Sequence, residues 1–250
     1  MPIWFEERKK KQVMIRSLPT RLMILCAVMS APAALGGVLP AHSLLLDFDT
    51  DANGDPIVHG QVIDDEYNPW GVDIAVQHQS DPSLDFGLAL ATDISVEEDM
   101  RTGTENGATH PTNTGFLGNV LITPRNSVDD NNDGVIDTPD TAYERPNGVF
   151  TFTFSATTYN GGSLTIIDAE EDGGTVEAWL NNAFVGSVSI PAIGDNAVAQ
   201  LGLPQVAFNK LVIRLAGSGG VDNVIVNAVP EPASTAALAL LGAGLLRRRR

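Results

Sequence analysis

The sequence predicts an all-β protein, an antiparallel β-sandwich of jelly-roll type, over residues 44–228. Short runs rich in Val, Ile, Leu and Thr follow one another at close spacing, with Gly, Asn, Asp or Pro between them. The run 149–154 alternates apolar residues with Thr, which puts one face of a strand in a core and the other in solvent. No stretch of about 12 or more residues in this region has the 3.6-residue apolar period of a helix.

The strands are predicted from the amino end as alternating or β-branched runs bounded by turn residues. They cover residues 43–48, 57–63, 71–76, 87–91, 116–123, 149–154, 163–168, 175–180, 185–190, 210–215 and 221–227. Asn181 and Asn182 separate two of these runs and predict a hairpin turn. Distant strands pair in a jelly roll, so the first strand is expected beside the last.

Residues 1–43 have the pattern of a signal peptide. Basic residues precede an apolar stretch at 22–40, and the small residues Ala41 and Ser43 suit a signal-peptidase cleavage site. Met14 is an alternative start, and an N-terminal membrane anchor is the alternative interpretation. The sole cysteine, Cys26, lies inside this segment. The mature chain is therefore expected to be exported without a disulfide, so that its stability comes from its core and from metal.

Residues 229–250 have the pattern of an address rather than of a folded element. Pro230, Glu231 and Pro232 precede an apolar run that ends at Leu246. The final block consists of Arg247, Arg248, Arg249 and Arg250. The prolines interrupt regular structure, the apolar run favours a membrane, and the arginines are expected on its cytoplasmic side. The run 233–246 is shorter than the roughly 20 residues of a full span, so complete crossing and transient retention both stay open.

In order and wording this tail resembles the PEP-CTERM sorting signal of Gram-negative, biofilm-forming bacteria, down to its Pro-Glu-Pro triplet. The resemblance implies recognition and cleavage by an exosortase, and a location at the cell surface or in the extracellular matrix. Residues 46–49 and 71–74 look like the start of jelly-roll domains in exported PEP-CTERM proteins. Residues 219–224 are similar to the last strand of those domains and of many carbohydrate-binding modules.

Charge separates the mature region from its two signals. Residues 44–228 keep five basic residues against 28 acidic ones, a formal charge of −23. A surface this acidic repels phosphate backbones and anionic lipid, which excludes nucleic-acid binding and limits membrane contact to the sorting segment. The same surface favours divalent cations as partners.

The most specific internal motif is an acidic loop at 129–140, which predicts a calcium site. Aligned on Gly134, oxygen-bearing side chains occupy loop positions 1, 3, 5, 9 and 12, and position 7 offers a backbone carbonyl. The predicted ligands are Asp129, Asn131, Asp133, Val135, Asp137 and Asp140. Ile136 is expected to attach the loop to the core. The last ligand is Asp rather than Glu and the flanks are not helical, so an isolated loop of the dockerin or thrombospondin-repeat kind is predicted.

A second, weaker calcium site is predicted after the first strand. Its side chains alternate along the chain around Gly54, and Asp222 from the last strand is expected to complete the shell. The predicted ligands are Asp47, Asp49, Asp51, Asn53, Asp55 and Asp222. Family resemblance implies the same, since jelly-roll modules often hold a structural calcium near their first and last strands. A third acidic group, Asp168, Glu170, Glu171 and Asp172, is expected to be a solvated turn.

The sequence offers little for catalysis. His59, His78 and His110 stand alone without zinc-site spacing. Ser218 misses the nucleophile-elbow pattern by its first glycine. The chain is therefore expected not to be an enzyme. A glycan-active hydrolase stays an alternative, because 28 acidic residues guarantee some close carboxylate pairs.

These observations predict an exported, non-catalytic protein of the cell surface or exopolysaccharide matrix, stabilised by Ca²⁺. Its expected partners are signal peptidase, exosortase and exopolysaccharide. The alternative is a carbohydrate-binding, lectin-like module. Trp70, in a predicted loop with Tyr67 nearby, is the candidate sugar contact. Trp179 lies within a predicted strand between Ala178 and Leu180 and is expected in the core.

Overall fold

The computed structural model describes residues 43–93, 98–103, 111–142, 147–155 and 157–229. These residues form an all-β structure with two antiparallel sheets, as the sequence predicted. The predicted signal peptide up to residue 42 and the sorting residues 230–250 lie outside the described residues. The sandwich strands run from Ser43 to Ala228.

The larger sheet has eight strands. In chain order they are β1 (Ser43–Leu46), β2 (Val62–Ile63), β4 (Gly87–Ala91), β5 (Asn119–Ile122), β7 (Tyr159–Ile167), β10 (Val198–Gly202), β11 (Ala207–Phe208) and β13 (Gly220–Ala228). The spatial order is β10-β7-β13-β5-β4-β2, with β1 also paired to β13 and β11 to β7. The first strand therefore does lie beside the last, with Leu46 opposite Val224.

The smaller sheet has five strands. They are β3 (Val72–His78), β6 (Gly148–Phe154), β8 (Gly174–Leu180), β9 (Ala183–Ile190) and β12 (Lys210–Arg214). Their spatial order is β3-β6-β12-β8-β9. The β8–β9 hairpin turns at Asn181 and Asn182, whose φ angles of 51° and 65° are the left-handed conformation that the predicted turn requires.

Alternation along the strands builds the core. In β6, Phe150, Phe152 and Phe154 are buried while Thr151 and Thr153 are partly exposed. In β4 and β5 every residue is buried, because a second apolar cluster that includes Met100 and Ile136 covers part of the larger sheet. Loop 129–140 is therefore attached to the domain through Ile136, as predicted.

The differences from the predicted strands have simple causes. Only the last two residues of 57–63 form a strand. Ile57 donates to Asp49 in a loop, and Gly60 and Gln61 bond to Ala89 of β4 before the regular pairing begins. Strands β10 and β11 were not predicted, since they are short and only partly apolar. The helices of the described residues are single 3₁₀ turns at Asn68–Trp70, Pro82–Leu84 and Glu98–Met100. Among the described residues, no helix has the length and apolar character needed to span a membrane.

Candidate functional site

Asp47, Asp49 and Asp222 lie near one another, close enough for the charges of Asp47 and Asp49 to act on Asp222. They belong to the region where β13 pairs with β1 and β5, and we call these three residues the acidic junction. One carboxylate oxygen of Asp47 accepts the backbone N–H groups of Asp49 and Thr50, each over 3.1 Å. The Asp49 carboxylate accepts the backbone N–H of Asn119 over 2.7 Å. Asp49 is thereby fixed to the start of β5.

The backbone between Asp47 and Asp49 is fixed by hydrogen bonds from buried side chains. Phe48 is fully buried at a φ of 54°, and its N–H donates to the Tyr67 hydroxyl over 2.9 Å. The buried Asn119 side chain donates to the carbonyls of Phe48 and Ile57 over 3.0 and 2.9 Å. These contacts turn the chain so that Asp47 and Asp49 lie on the side of Asp222.

Asp222 is the buried member of the junction. It is 0% exposed and lies at a register shift between β13 and β7. Its carboxylate accepts the backbone N–H of Asn223 over 2.6 Å and also accepts from the Asn223 side-chain amide. Burial raises the pKa of Asp222 to about 8; the Asn223 hydrogen bonds oppose this, and the charges of Asp49 and Asp47 add to it. Burial also raises the pKa of Asp49. The hydrogen bond from Asn119 lowers this pKa, and the charge of Asp47 raises it.

The junction fits a hard cation on its donor chemistry, although the ligand oxygens of its three carboxylates do not all lie within 4.8 Å of one another. Its side chains offer carboxylate oxygens, which Ca²⁺ prefers, and the neighbouring charges on Asp222 are both negative. Gly118, at a φ of 80°, lies so close that a Cβ there would come within 2.1 Å of Asp49 Oδ1. A side chain at position 118 would thus occupy the space beside the carboxylate.

The other predicted members of this site form a turn of their own. The Asp51 carboxylate accepts the backbone N–H groups of Asn53 and Asp55, each over 2.8 Å, and the Asn53 side-chain amide over 3.2 Å. Hydrogen bonds, chiefly from Asp55, lower the pKa of Asp51. The structure therefore brings Asp47 and Asp49 together with Asp222, and it leaves Asp51, Asn53 and Asp55 in a separate turn.

Loop 129–140 curls around its own backbone N–H groups. Asp129 accepts from Asp133 and Gly134 over 3.2 and 3.0 Å, and Asn131 accepts from Asp133 over 2.8 Å. The Asp133 carboxylate accepts from Val135 over 2.9 Å. Gly134 has a φ of 87°, the left-handed conformation that the predicted sharp turn requires.

The far end of this loop is closed by different contacts. Asp137 accepts from the Asp130 backbone over 2.6 Å and from the Asn131 amide over 3.2 Å. Asp140, predicted as the last calcium ligand, forms an ion pair with Arg125 over 3.0 Å. Backbone bonding between Arg125 and Asp140 explains the pair, since it brings the guanidinium beside the carboxylate.

Asp64, Asp65 and Glu66 form an acidic group that was not predicted as a site. Among the described residues, this is the one group of three or more acidic, His or Cys side chains whose ligand atoms all lie within 4.8 Å of one another. The charges of Asp64 and then Glu66 raise the pKa of Asp65. Asp64 and Asp65 are exposed. The three consecutive acidic residues were the only feature of the sequence from which this group could have been predicted.

The expectation of a solvated turn at 168–172 is wrong for Asp168, which is 2% exposed. Its carboxylate accepts the Asn196 N–H over 2.9 Å and the Ser218 hydroxyl over 3.1 Å. Burial raises the pKa of Asp168 to about 7, with the charges of Asp99 and Glu170 adding to the effect and both hydrogen bonds opposing it. Asp168 therefore joins three chain segments inside the fold.

The predicted sugar-contact pair does not form a surface platform. Trp70 is 39% exposed, but Tyr67 is 1% exposed, and their ring centroids lie 5.7 Å apart at 44°. Burial raises the pKa of Tyr67, whose hydroxyl supports the acidic junction. Tyr67 is a core residue because its hydroxyl has a buried backbone partner at Phe48.

Trp179 is not in the core as expected. In β8 the buried residues are Val176 and Ala178, so Trp179 faces the other side of the sheet and is partly exposed. Its indole N–H donates to Glu177 over 3.1 Å, and the Lys210 amine lies 5.1 Å from the ring centroid. Phe184, which is 54% exposed, packs edge-on at 5.6 Å.

Comparison with known proteins gives no family: no family model matches the chain, and no curated protein matches it. Three solved structures resemble parts of it. A Streptococcus pneumoniae fucose-binding module has 15% identity and a TM-score of 0.26, over 37% of this chain and 72% of that one. A carbohydrate-binding module from a Cellvibrio mixtus lichenase, in complex with cellotriose, has 15% identity and a TM-score of 0.24, over 57% and 97%.

The third structure is an exo-β-1,3-galactanase from Phanerochaete chrysosporium with β-1,3-galactotriose. It has 14% identity and a TM-score of 0.25, over 68% of this chain and 30% of the galactanase. Similarity at this level carries no argument about the ligand or activity of the present protein.

Proposed function

We propose that this protein is an exported, non-catalytic module of the cell surface or exopolysaccharide matrix, in which calcium joins the first strand of the sandwich to the last. The observation that carries the proposal is the acidic junction of Asp47, Asp49 and Asp222. Asp222 is buried beside the partly exposed Asp47 and Asp49, and like charges at such a position oppose folding unless they are protonated or bind a cation. A Ca²⁺ ion held by these carboxylates would remove the repulsion at neutral pH.

A second calcium ion is proposed in loop 129–140. Asp129, Asn131, Asp133 and Asp137 supply oxygens on one short loop, and the Val135 carbonyl completes the predicted set. Asp140 would have to leave Arg125 to bind the ion. We also propose jelly-roll connectivity, which the repeated alternation of consecutive strands between the two sheets supports.

The proposed location depends on the sequence motifs at the two ends. Signal peptidase would remove residues up to about 43, and exosortase would recognise the tail that contains Pro230, Glu231 and Pro232. Ser43 lies opposite Asn227, and its hydroxyl donates to the Asn227 side chain over 2.9 Å. Removal of both signals would therefore trim the chain at the outer ends of one strand pair and leave the sandwich whole.

Polar contacts of the conspicuous histidines and serine support a non-catalytic role. Ser218 donates its hydroxyl to the buried Asp168. His59 Nδ1 accepts the N–H of Ala91, and His78 Nδ1 accepts that of Asp81. These side chains act as structural partners of nearby groups, whereas a nucleophilic serine would need a histidine base. His110 lies outside the described residues.

Calcium binding tests the proposal directly. The full-length protein in mild detergent would be titrated with Ca²⁺ in a calorimeter and melted with calcium or chelator. We expect saturable binding, and a melting temperature that is higher in calcium. No binding, or identical melting curves, would overturn the calcium part of the proposal.

A carbohydrate-binding role is the second candidate, and partial exposure of Trp70 favours it. An exposed indole gives a sugar ring an apolar surface to stack on. Binding of the producing organism's exopolysaccharide, measured with wild type and Trp70→Ala, tests this candidate. Equal binding by both proteins would remove Trp70 from the account.

A further inference from the structure

We infer that the outer face of the five-stranded sheet binds an uncharged polysaccharide through Trp179 and Phe184. This inference deepens the proposed function, because it gives the surface module a ligand class and a site. The residues come from all five strands of the smaller sheet. They are Asp73, Thr153, Lys210, Trp179 and Phe184, which we call the Trp179 row.

The ladder register places these residues side by side across the sheet. Asp73 pairs with Thr153, which pairs with Lys210. Lys210 pairs with Trp179, which pairs with Phe184. Each lies at a partly or fully exposed position of its strand, so the row faces away from the core. Four steps of about 4.8 Å make the row about 19 Å long, which suits an extended chain rather than a single small molecule.

The indole of Trp179 is held rigidly before any ligand arrives. Glu177 accepts its N–H over 3.1 Å, the Lys210 amine lies 5.1 Å from its centroid, and Phe184 packs against it at 75°. An aromatic surface that is already ordered loses little side-chain entropy when a ligand stacks on it. The apolar C–H face of a pyranose ring is a suitable stacking partner for such a surface.

Hydroxyl-binding groups surround the two aromatic rings. The hairpin residues Asn181 and Asn182 are exposed beside Trp179, and Asn209 exchanges hydrogen bonds with Asn181 over 3.0 and 3.4 Å. The Lys210 amine lies 3.4 Å from Asn182 Oδ1. Amide and amine groups beside an aromatic ring can bind sugar hydroxyls while the ring itself is stacked.

Charge favours an uncharged polymer at this face. Lys210 and Arg214 are balanced by Asp73 and Glu177, and Arg214 pairs with Glu177 over 3.3 Å. The face is therefore formally neutral within a region of charge −23. An uncharged chain pays no electrostatic penalty on approach, whereas a polyanion is repelled by the rest of the domain.

Affinity electrophoresis of the full-length protein in mild detergent tests the inference. The gels would contain laminarin, hydroxyethyl cellulose or galactomannan as uncharged probes, and alginate as the carboxylated one. We expect retardation by at least one uncharged probe. Trp179→Ala should weaken that binding roughly tenfold or more, as for a truncated aromatic anchor, and Phe184→Ala should weaken it less. The matched control is Phe116→Ala, which removes an exposed aromatic ring outside the row and should bind like wild type. Trp70→Ala is measured beside it as the test of a site at the Trp70 loop.

Each other outcome overturns the inference. No retardation by any uncharged probe excludes the ligand class, and retardation by alginate alone shows that charge governs binding. Loss of binding in Trp70→Ala but not in Trp179→Ala moves the site to the Trp70 loop. Self-association that Phe184→Ala abolishes, measured by sedimentation without polysaccharide, would make a second copy the occupant. Phe184 is exposed, so we expect Phe184→Ala to fold. If Trp179→Ala does not fold, weaker polysaccharide binding by Phe184→Ala still tests the site.

The inference and the calcium proposal fail separately. Polysaccharide binding that persists in chelator, with no calcium titration signal, removes the calcium proposal and keeps the Trp179 row. Calcium binding without polysaccharide binding removes the Trp179 row and keeps the calcium proposal.

Discussion

Asn119 donates its backbone N–H to the carboxylate of Asp49 over 2.7 Å, across 70 positions of sequence. This bond orients Asp49 at the junction where Asp222 is buried. The proposed calcium ion would use a carboxylate that one donor already orients, because rotation of Asp49 would break this bond. The junction is therefore the position where substitutions should separate folding from metal binding.

Asp222→Asn should remove the acidic junction's share of the calcium response, leave that of loop 129–140, and keep the fold. The amide fills the same volume without charge, so the variant in chelator should be at least as stable at neutral pH as wild type. At a calcium concentration 100 times its dissociation constant, the junction site should stabilise wild type by about 2.7 kcal/mol, and the variant should lack this contribution. Thermal unfolding with calcium and with chelator measures both effects. The exposed Asp130→Asn is the control, and a full calcium response in Asp222→Asn would contradict the assignment.

Stability in chelator should fall as the pH rises. The Asp222 carboxyl titrates near 8 when folded and near 3.8 when unfolded, so between these values the folded state keeps a proton that the unfolded state has released. The stabilisation is complete below about 4 and is lost as the pH approaches 8. Asp168, with a pKa raised to about 7, acts in the same direction. Melting from pH 5 to 8 should show a shallower slope in Asp222→Asn, and an unchanged slope would assign the effect to other groups.

Gly118→Ala should destabilise the protein strongly. The left-handed backbone alone costs about 1–2 kcal/mol for a residue with a Cβ, and the added atom would overlap Asp49. Chemical denaturation measures the change. Gly202→Ala is the matched control, because nothing lies within 4 Å of its Cβ position and its φ is not left-handed. Equal stability of the two variants would mean that Gly118 leaves no necessary space beside Asp49.

Asp133→Ala should lower the melting temperature in calcium and reduce the bound calcium by about one ion. Asp133 accepts from Val135 and supplies the fifth position of the loop, so its loss removes a ligand and opens the turn. Equilibrium dialysis gives the stoichiometry. Asp130→Ala, in the same loop but outside the proposed ligand set, should bind like wild type. An unchanged stoichiometry in Asp133→Ala would exclude loop 129–140 as a calcium site.

Removal of residues 229–250 should release the protein from cells into the medium. The apolar run and the arginines are the proposed means of membrane retention. Cell fractionation with immunodetection measures the distribution. Glu231→Ala keeps the apolar run and should stay cell-associated but unprocessed, at a higher mass than the wild-type product. A truncated protein that fractionates like wild type would contradict the proposed sorting role.

The strands were predictable where alternation was strong, as in β6, and the β8–β9 turn was predictable from Asn181 and Asn182. Edge strand β10 was not, because its five residues include Gln200 and two small residues and so lack an apolar pattern. The outward orientation of Trp179 was predictable from the alternation of side chains along β8. Because Val176 and Ala178 are buried, Trp179 must lie on the opposite face of the strand.

The burial of individual acidic residues was hard to predict from the sequence. Asp168 stands near Glu170 and Glu171 in sequence, which suggested a solvated turn. Its burial depends on Asn196 and Ser218, which lie 28 and 50 positions away. The proximity of Asp222 to Asp47 and Asp49 could be predicted because the first strand was expected beside the last, and that pairing is observed.

The position of β13 determines how the domain would carry mechanical load. This strand continues directly toward the tail and is hydrogen-bonded to β1, β5 and β7. Tension applied at residue 229 would enter the middle of the larger sheet, where several ladder bonds share the force and must break together. An attachment through an edge strand such as β10 would instead let the bonds open one after another. A domain held by its C-terminal end would thus take up tension on a strand that is bonded on both sides rather than on an edge strand.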